Sequence, residues 1–374
     1  MLFPLKKPLP DFESLIKVIK GERESKKVHF VELLIDHEVQ KVIVEDLMGE
    51  KWVPPARGLF GASGVTENEE ASWKQNINFY YRMGYDYLPD IDPILRLQAF
   101  FTTSRIADDT ASISKGKRIW AEEGKGMISS WEDLERFPWK KIEEIKFALE
   151  SYYDFLSRNL PEGMKVLVIL GLYEPVLEFI LGYEGLFYLL YDQPDLVKEV
   201  FNRLGNIVYD IYKSIVSLQI IGGIFHADDL GFKTSTMLSP KYLREIVFPW
   251  FKKYSFLAHE NGKIYMYHCC GYKSEIIEDL IEDVRIDALH SFEDICCPII
   301  EFKKRYGRRI AVLGGVDMDK LCRLDEKDLR EYIRKILEEC VPGGRFALGS
   351  GNSIANYVPI KNYLTMLDEG LKWR

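Results

Sequence analysis

The sequence predicts an α/β protein whose single domain is a closed (β/α)8 TIM barrel. Eight short apolar runs resemble buried strands, most of them are separated by a helical pattern, and the 374-residue chain shows no interdomain linker. Strands that alternate with helices form parallel sheets, and eight of them suggest closure into a barrel. An open doubly wound sheet is the alternative, but no Gly-x-Gly-x-x-Gly turn follows the first strand.

The predicted elements follow an N-terminal extension over residues 1–27. Strands are predicted at residues 28–35, 84–88, 164–170, 220–226, 263–269, 285–290, 309–313 and 345–348. Helices are predicted at about 38–47, 76–83, 130–159, 194–218, 239–261, 274–283, 298–306, 326–340 and 361–370. The segment SWED at residues 130–133 is a capping box, which marks a helix start. Residues 96–127 are predicted to be a β-rich insertion in this alternation of strands and helices. Because no linker is visible, residues 1–374 are predicted to form one domain.

Composition restricts the class of protein. The net charge is −8 and no basic block is present, which argues against nucleic acid as a partner. No apolar run approaches the roughly 20 residues that span a bilayer, and the N-terminal residues lack a signal-peptide layout. A cytoplasmic protein without a membrane partner is therefore expected. The cysteines do not resemble a disulfide framework; they are Cys269, Cys270, Cys296, Cys297, Cys322 and Cys340.

The stretch KIYMYHCCG, residues 263–271, carries the strongest chemical signal. Alternate residues of a strand point to the same side, so His268 and Cys270 can converge while Cys269 points away. An imidazole nitrogen and a thiolate sulfur make half of a tetrahedral zinc site. From spacing alone, a buried structural histidine beside two core cysteines is an equal alternative.

Polar residues gather at the predicted C-terminal strand ends, where the active sites of such barrels lie. These residues are Glu32, Asp36, Tyr85, Asp86, Tyr173, Glu174, His226, Asp228, Asp229, His268, Cys270, His290, Glu293, Asp317, Ser350 and Asn352. Some of them are expected to cap the following helices, and the pair Asp228-Asp229 could supply one cap and one substrate ligand. Neighbouring aromatic residues could form a flat apolar pocket.

Four segments resemble the uroporphyrinogen decarboxylase superfamily, whose fold is a (β/α)8 barrel. They are FHADDLGFKTSTMLSPKYLREIVFPW, MYHCCGYKSEIIEDLIEDVRIDALHSFED, IAVLGGVDMDKLCR and PGGRFALGSGNSIANYVPIKNY. True decarboxylases carry an RQAGR-type segment near the N-terminus, which this chain lacks. The His-x-Cys-Gly signature is similar to that of the corrinoid-dependent methyltransferase branch. Ser350 stands where coenzyme M methyltransferases have a further cysteine, which argues against a coenzyme M role.

The resemblance implies a zinc-dependent methyltransferase that moves a methyl group from a methoxylated aromatic compound to the cobalt of a corrinoid (cobalamin) protein. His268, Cys270 and Glu174 would hold Zn²⁺. Asp228 or Asp229 would orient the substrate or donate a proton, and His226 is a further catalytic candidate. The predicted substrate-binding residues are Tyr173, Ser350, Asn352 and Tyr85.

Three alternatives remain open at this point. The protein could transfer methyl from a methyl-corrinoid to a thiol such as coenzyme M. It could be a metal-free decarboxylase of an anionic tetrapyrrole, or a non-catalytic corrinoid or metal carrier. The resemblance is also compatible with a homodimer.

Overall fold

The computed structural model describes residues 3–24, 27–55, 69–101, 104–111, 113–114, 117–121 and 126–373. In these residues a parallel sheet of seven strands forms the centre of an α/β fold, with the order β1-β4-β5-β6-β7-β8-β9. Its strands are β1 (Tyr87–Asp90), β4 (Lys165–Val168), β5 (Ile221–Ala227), β6 (Ile264–His268), β7 (Ala288–His290), β8 (Ala311–Val316) and β9 (Phe346–Ser350). All neighbouring pairs run parallel, so their C-terminal ends meet at one rim.

Helices connect these strands. They are α1 (Phe12–Ile19), α2 (His37–Val42), α3 (Glu69–Arg82), α4 (Asp92–Gln98), α5 (Trp131–Arg136), α6 (Trp139–Glu143), α7 (Ile145–Ala148), α8 (Glu150–Asn159), α9 (Tyr173–Pro175), α10 (Tyr183–Asp192), α11 (Pro194–Ile215), α12 (Pro240–Tyr242), α13 (Phe248–Glu260), α14 (Ile299–Tyr306), α15 (Met318–Arg323), α16 (Glu326–Cys340) and α17 (Ile360–Lys372). Four π-helical segments adjoin them at Ile43–Met48, Val176–Ile180, Leu243–Val247 and Asp279–Val284. None of the described helices combines the length and apolar character that crossing a membrane requires.

A second, smaller sheet lies within residues 96–127. Its strands β2 (Ser104–Asp108) and β3 (Lys117–Ala121) pair antiparallel and make no ladder with the main sheet in the described residues. Antiparallel strands need only a short connection, whereas the strands of the main sheet need crossovers. This hairpin therefore stands apart from the repeating strand–helix pattern.

The predicted first strand, residues 28–35, does not form a strand. It makes isolated parallel bridges from Phe30 to Leu348 and from Ile35 to Ile354. On its other side the Tyr87 hydroxyl donates to the carbonyl oxygen of Glu32 at 2.6 Å and accepts from its N–H at 2.9 Å. A side chain thus satisfies the backbone groups that a neighbouring strand would use. The predicted closed barrel of eight strands is consequently not completed by backbone pairing in the described residues.

The second predicted strand is shifted along the chain. It was expected to end before Pro89, but β1 runs through Pro89 to Asp90. Because β1 is an edge strand, the missing N–H of proline does not interrupt a ladder. Tyr85 therefore precedes β1, at the rim opposite the strand ends, and its hydroxyl bonds to that of Tyr363 at 2.9 Å. This position lies away from the C-terminal strand ends, and substrate binding by Tyr85 stays a prediction.

Alternate residues of the strands pack together on the inner face of the curved sheet. Phe225, Met266 and Leu313 belong to this inner cluster, together with Phe12 and Leu15 of α1, which cover the N-terminal end. A Cβ on Gly222 would lie 2.2 Å from the Phe12 ring, so this approach requires glycine. A period of two along β5 turns the side chains next to Phe225 outward, towards the surrounding helices.

A buried polar network ties the N-terminal segment to this end of the sheet. Asp86 accepts hydrogen bonds from the Asp11 N–H at 2.6 Å and from Lys27 Nζ at 2.8 Å, and its other oxygen lies 2.5 Å from His29 Nδ1. His29 Nε2 in turn lies 3.0 Å from Ser14 Oγ in α1. Burial alone would raise the pKa of Asp86, but His29 and Lys27 outweigh it and hold this pKa below its ordinary value. The ionised carboxylate therefore fastens three segments.

Replacement of Asp86 by asparagine should destabilise the fold. Removing one partner of a buried pair costs about 3 kcal/mol or more of unfolding free energy. Because the folded pKa of Asp86 lies below its ordinary value, its contribution is present above about pH 4 and is lost as the pH falls further. Urea unfolding of Asp86→Asn should show a larger loss of stability at pH 7 than at pH 3. Asp154→Asn, at an exposed ion pair with Arg158, is the matched control and should change little. A loss that does not depend on pH would contradict this account.

Candidate metal centre

Three potential metal ligands meet at the C-terminal ends of β5 and β6. His268 is the last residue of β6, and its Nε2 lies 3.4 Å from Cys270 Sγ and 3.5 Å from Asp229 Oδ1. The ligand atoms of Asp229, His268 and Cys270 all lie within 4.8 Å of one another, and no other such group of three occurs in the described residues. The structure thus brings together the two residues of the His-x-Cys motif and adds a carboxylate.

Backbone geometry holds Asp229 in this position. Its Oδ1 accepts a hydrogen bond from the N–H of Cys270 at 2.6 Å. Burial acts to raise the pKa of Asp229, but the hydrogen bond and charge of His268 and the Cys270 N–H lower it below its ordinary value. Asp229 is therefore an ionised oxygen donor beside the imidazole. The sequence predicted a catalytic role for it, and the structure places it among the ligand candidates.

The donor set fits a zinc ion. One carboxylate oxygen, one imidazole nitrogen and one sulfur form the three-ligand pattern of catalytic zinc sites, which leaves a fourth position open. Asn352 Nδ2 donates to Cys270 Sγ at 3.1 Å and Ser291 Oγ does so at 3.5 Å, so the sulfur is arranged as an acceptor. Burial, and then the charge of Asp229, raise the pKa of the Cys270 thiol well above its usual range. A bound cation would offset both effects.

His290, at the end of β7, determines which nitrogen of His268 can bind a metal. His290 Nε2 donates to the Ser350 carbonyl oxygen at 3.2 Å, and burial lowers the pKa of His290 well below its ordinary value. Neutral His290 therefore presents Nδ1 as an acceptor, and His268 Nδ1 donates to it at 2.7 Å. Nδ1 of His268 thereby keeps its proton, and Nε2, which faces Asp229 and Cys270, is the nitrogen that a metal ion would take in place of the proton shared with Asp229.

Asp228 and His226 contact each other, and Asp228 also binds the turn that follows β4. The Asp228 carboxylate accepts from the backbone N–H groups of Leu172, Tyr173 and Glu174 at 2.8 to 2.9 Å, and it lies 2.7 Å from His226 Nε2. Both side chains are completely buried, and the His226 ring packs 4.5 Å from that of Phe251. These contacts position the turn after β4, and strand alternation directs His226 away from the sheet interior. The catalytic roles predicted for Asp228 and His226 stay predictions.

Glu174 and Tyr173 lie on that same turn. Glu174 was predicted to bind the metal, but it is not one of the three clustered ligands; its carboxyl accepts from the Asp229 N–H. Burial and the nearby carboxylates of Asp229 and Glu178 raise its pKa well above the ordinary value. Tyr173 is buried with its ring 6.4 Å from that of Phe201, and no hydrogen-bond partner for its hydroxyl occurs among the described residues. The predicted contact of Tyr173 with substrate stays a prediction.

Ser350 and Asn352, two predicted substrate-binding residues, differ in what they contact. Asn352 contacts the Cys270 sulfur, as described above. Ser350 is buried, and its N–H and hydroxyl donate to the two oxygens of Glu32 at 2.7 and 2.5 Å. Burial raises the pKa of Glu32 to about 8, although both Ser350 hydrogen bonds act to lower it. Ser350 is therefore engaged by a buried carboxyl group.

A buried lysine supplies positive charge next to the cluster. Lys273 is 2% exposed, and its Nζ donates to the Ser291 carbonyl oxygen at 3.1 Å. Burial acts to lower the pKa of Lys273, but the nearby thiols, first Cys297 and then Cys269 and Cys270, hold it above its ordinary value. A charged ammonium with one protein acceptor is costly to bury. Its charge is available to an anionic group in the site.

The sequence did not predict roles for His290 and Lys273, which lie next to the candidate ligands. His290 stood at a predicted strand end but received no role, although it is the last residue of the strand beside His268. The signal that could have found it is register, since parallel neighbours at equal heights can bond across the sheet. Lys273 gave no signal, because a lysine five residues past the end of β6 is normally exposed.

Comparison with known proteins adds the following findings. Residues 126–372 match the family described as Uroporphyrinogen decarboxylase (URO-D). The solved structure of a methyltransferase from Methanosarcina mazei is similar with a TM-score of 0.62 and 16% identity, and the match covers 97% of this chain and 98% of that one. A B12-independent methionine synthase from Shewanella sp. W3-18-1 matches 81% of this chain and 86% of its own, with 9% identity and a TM-score of 0.46, which is too weak to support an argument. No curated protein matches by sequence.

Replacement of His290 should weaken metal binding without removing a ligand. His290→Leu removes the acceptor for His268 Nδ1, and loss of such a contact lowers metal affinity about 10- to 100-fold. His290→Asn retains an acceptor oxygen and should lose less. Competition with a chromophoric chelator would measure zinc affinity, and circular dichroism would verify folding. His259→Gln, at a histidine paired with Asp287 on the surface, is the control. Unchanged zinc affinity in folded His290→Leu would refute the tautomer argument.

Proposed function

The chain belongs to the uroporphyrinogen decarboxylase (URO-D) family, and from that premise we propose that it is a zinc-dependent methyltransferase. In this proposal a methyl group passes from a methoxylated aromatic compound to the cobalt of a corrinoid carried by a partner protein. The observation that carries the proposal is the cluster of Asp229, His268 and Cys270 at the C-terminal rim. Fold similarity to a methyltransferase is compatible with it.

The chemistry requires a stabilised leaving group. The bond between the methyl carbon and the ether oxygen breaks, and the electron pair remains on the oxygen. When bound, zinc would supply a Lewis acid for that oxygen and the corrinoid would supply the nucleophile, so the chain needs no nucleophile of its own. The role of the chain is to hold the three ligands, orient the ether and exclude water.

The charges of the chain suit a leaving anion. Asp229 and the Cys270 thiolate would together balance a divalent cation, and the ammonium of Lys273, which interacts with the same sulfur, would add positive charge beside them. A phenolate leaving the methyl group would neutralise that charge. Preorganised charge of this kind stabilises a transition state more strongly in a buried site than in water.

An oxygen substrate fits these ligands better than a thiol. A single sulfur with a carboxylate oxygen and an imidazole makes a harder Lewis acid than a sulfur-rich site does. The hydroxyl of Ser350, where coenzyme M methyltransferases have a cysteine, donates to Glu32 and is not directed to the cluster. Methyl transfer from a methyl-corrinoid to a thiol such as coenzyme M is therefore the less favoured reaction.

Loss of a ligand should remove metal and activity together. Cys270→Ala and Asp229→Asn should lower zinc content and abolish the methylation of cob(I)alamin by methoxybenzoates under anaerobic conditions. Cys322→Ala, at a half-buried cysteine of α15, is the matched control and should retain both. A parallel assay of methylcobalamin with coenzyme M tests the reverse role. Full activity in a variant without bound metal would disprove the proposal.

Removal of the buried ammonium should affect rate and not metal content. Lys273→Met should lower kcat/KM for the ether about 10- to 100-fold or more, because charge stabilisation of the leaving oxygen is lost. Zinc content, measured by mass spectrometry, should stay unchanged. Lys304→Met, at an exposed lysine paired with Glu339, is the control. Equal rates for Lys273→Met and the unmodified protein would exclude this role.

A further inference from the structure

A second potential binding site lies beside the end of β1. A cavity of about 190 Å³ is lined by the end of the first predicted strand and the residues after it, by α3, by the end of β1, by the start of β3 and by Tyr152 of α8. Asp229, His268 and Cys270 are not among the residues that line it. We infer that this cavity binds a methylated ammonium cation, a ligand that the proposed methyl transfer from an aromatic ether does not require.

Aromatic side chains form much of the cavity wall. Trp52, Trp73, Tyr80 and Tyr152 all line it, and the rings of Trp73 and Tyr152 lie 4.8 Å apart at 59°. The segment that carries Trp52 is fixed to α3, because Gln75 accepts from the Val53 N–H at 2.7 Å and donates to the Lys51 carbonyl oxygen at 2.9 Å. The walls are therefore preorganised. Faces of tryptophan and tyrosine attract cations, and quaternary ammonium groups are bound in such aromatic cages.

Carboxyl groups outnumber basic groups among the described residues of the lining. Four carboxyl groups line the cavity, those of Asp36, Glu38, Asp90 and Asp92. Asp92 is neutralised by an ion pair with Arg96. Lys117 is exposed, and apart from His37 it is the one basic side chain among the described lining residues. Burial lowers the pKa of His37 to about 4, so it adds no positive charge at neutral pH.

Asp90 provides the innermost acidic group. It is 1% exposed, and its oxygens accept from the hydroxyls of Tyr152 at 3.0 Å and Tyr153 at 2.6 Å. Burial, followed by repulsion from Asp92, raises the pKa of Asp90 to about 7, so it carries a partial charge near neutrality.

Other ligand classes fit less well. A divalent metal needs several ligand atoms together, and in the described residues no three carboxylates of this cavity lie within 4.8 Å of one another. An anionic ligand would meet a surplus of carboxylates. A primary ammonium needs three hydrogen-bond acceptors and loses more hydration than a methylated one, whereas methyl groups on nitrogen can pack directly on aromatic faces. The combination of aromatic walls and negative charge therefore favours the methylated cation.

A pair of isosteric probes tests this inference. Calorimetric titration with choline should show saturable binding, whereas its neutral isostere 3,3-dimethylbutan-1-ol should bind at least 10-fold more weakly. Trp73→Leu should weaken choline binding about 10-fold, as expected for a desolvated cation–π contact. Trp131→Leu, at a half-exposed tryptophan at the start of α5, is the matched control and should bind choline normally. Glu38→Gln, which removes charge with little change in shape, should also weaken choline and leave the alcohol unchanged.

The possible outcomes are decisive for this site. Equal binding of the two probes, or no choline binding at millimolar concentration by the folded protein, would overturn the inference. Choline affinity that is the same in Trp73→Leu, Glu38→Gln and the unmodified protein would also overturn it. Cys270→Ala should bind choline normally, because its sulfur is outside the cavity. Failure of the proposed methyl transfer would therefore leave this result intact, and the reverse also holds.

Discussion

The hydrogen bond between the Nδ1 atoms of His268 and His290 organises the candidate site. It exists because β6 and β7 pair in register, so that the last residue of each strand faces the other. His290 is itself anchored to the carbonyl oxygen of Ser350 at the end of β9. The ends of β6, β7 and β9 thus determine that Nε2 of His268 is the nitrogen that faces Asp229 and Cys270. In the proposed centre, this nitrogen, the thiol and the carboxylate would bind the same metal ion.

Two adjacent aspartates at the same strand end have opposite roles. The oxygens of Asp228 accept hydrogen bonds from three backbone N–H groups of the turn after β4. One oxygen of Asp229 instead lies beside the His268 imidazole and the Cys270 thiol. The first fixes the turn after β4, and the second is a candidate ligand of the proposed metal centre. Lys273 and Glu32 are two further ionisable side chains that are buried near the site. Burying such groups costs free energy of folding.

Much of this organisation could be predicted from the sequence. The parallel α/β sheet and the family are confirmed, because apolar runs at regular intervals and long motifs are local signals. The convergence of His268 and Cys270 follows from a period of two within one strand. The place of Asp229 does not, since the path of the loop after β5 decides which of two neighbouring aspartates turns inward. The predicted first strand makes only isolated bridges to Leu348 and Ile354, and the Tyr87 hydroxyl, from a distant segment, bonds to both backbone groups of Glu32.

X-ray absorption at the zinc K edge tests the central claim most directly. The account predicts one sulfur neighbour at about 2.3 Å together with nitrogen and oxygen neighbours at about 2.0 to 2.2 Å, including one imidazole. In Cys270→Ala the sulfur contribution should disappear. A zinc spectrum without sulfur, or with two or more sulfur neighbours, would contradict a centre formed by Asp229, His268 and Cys270.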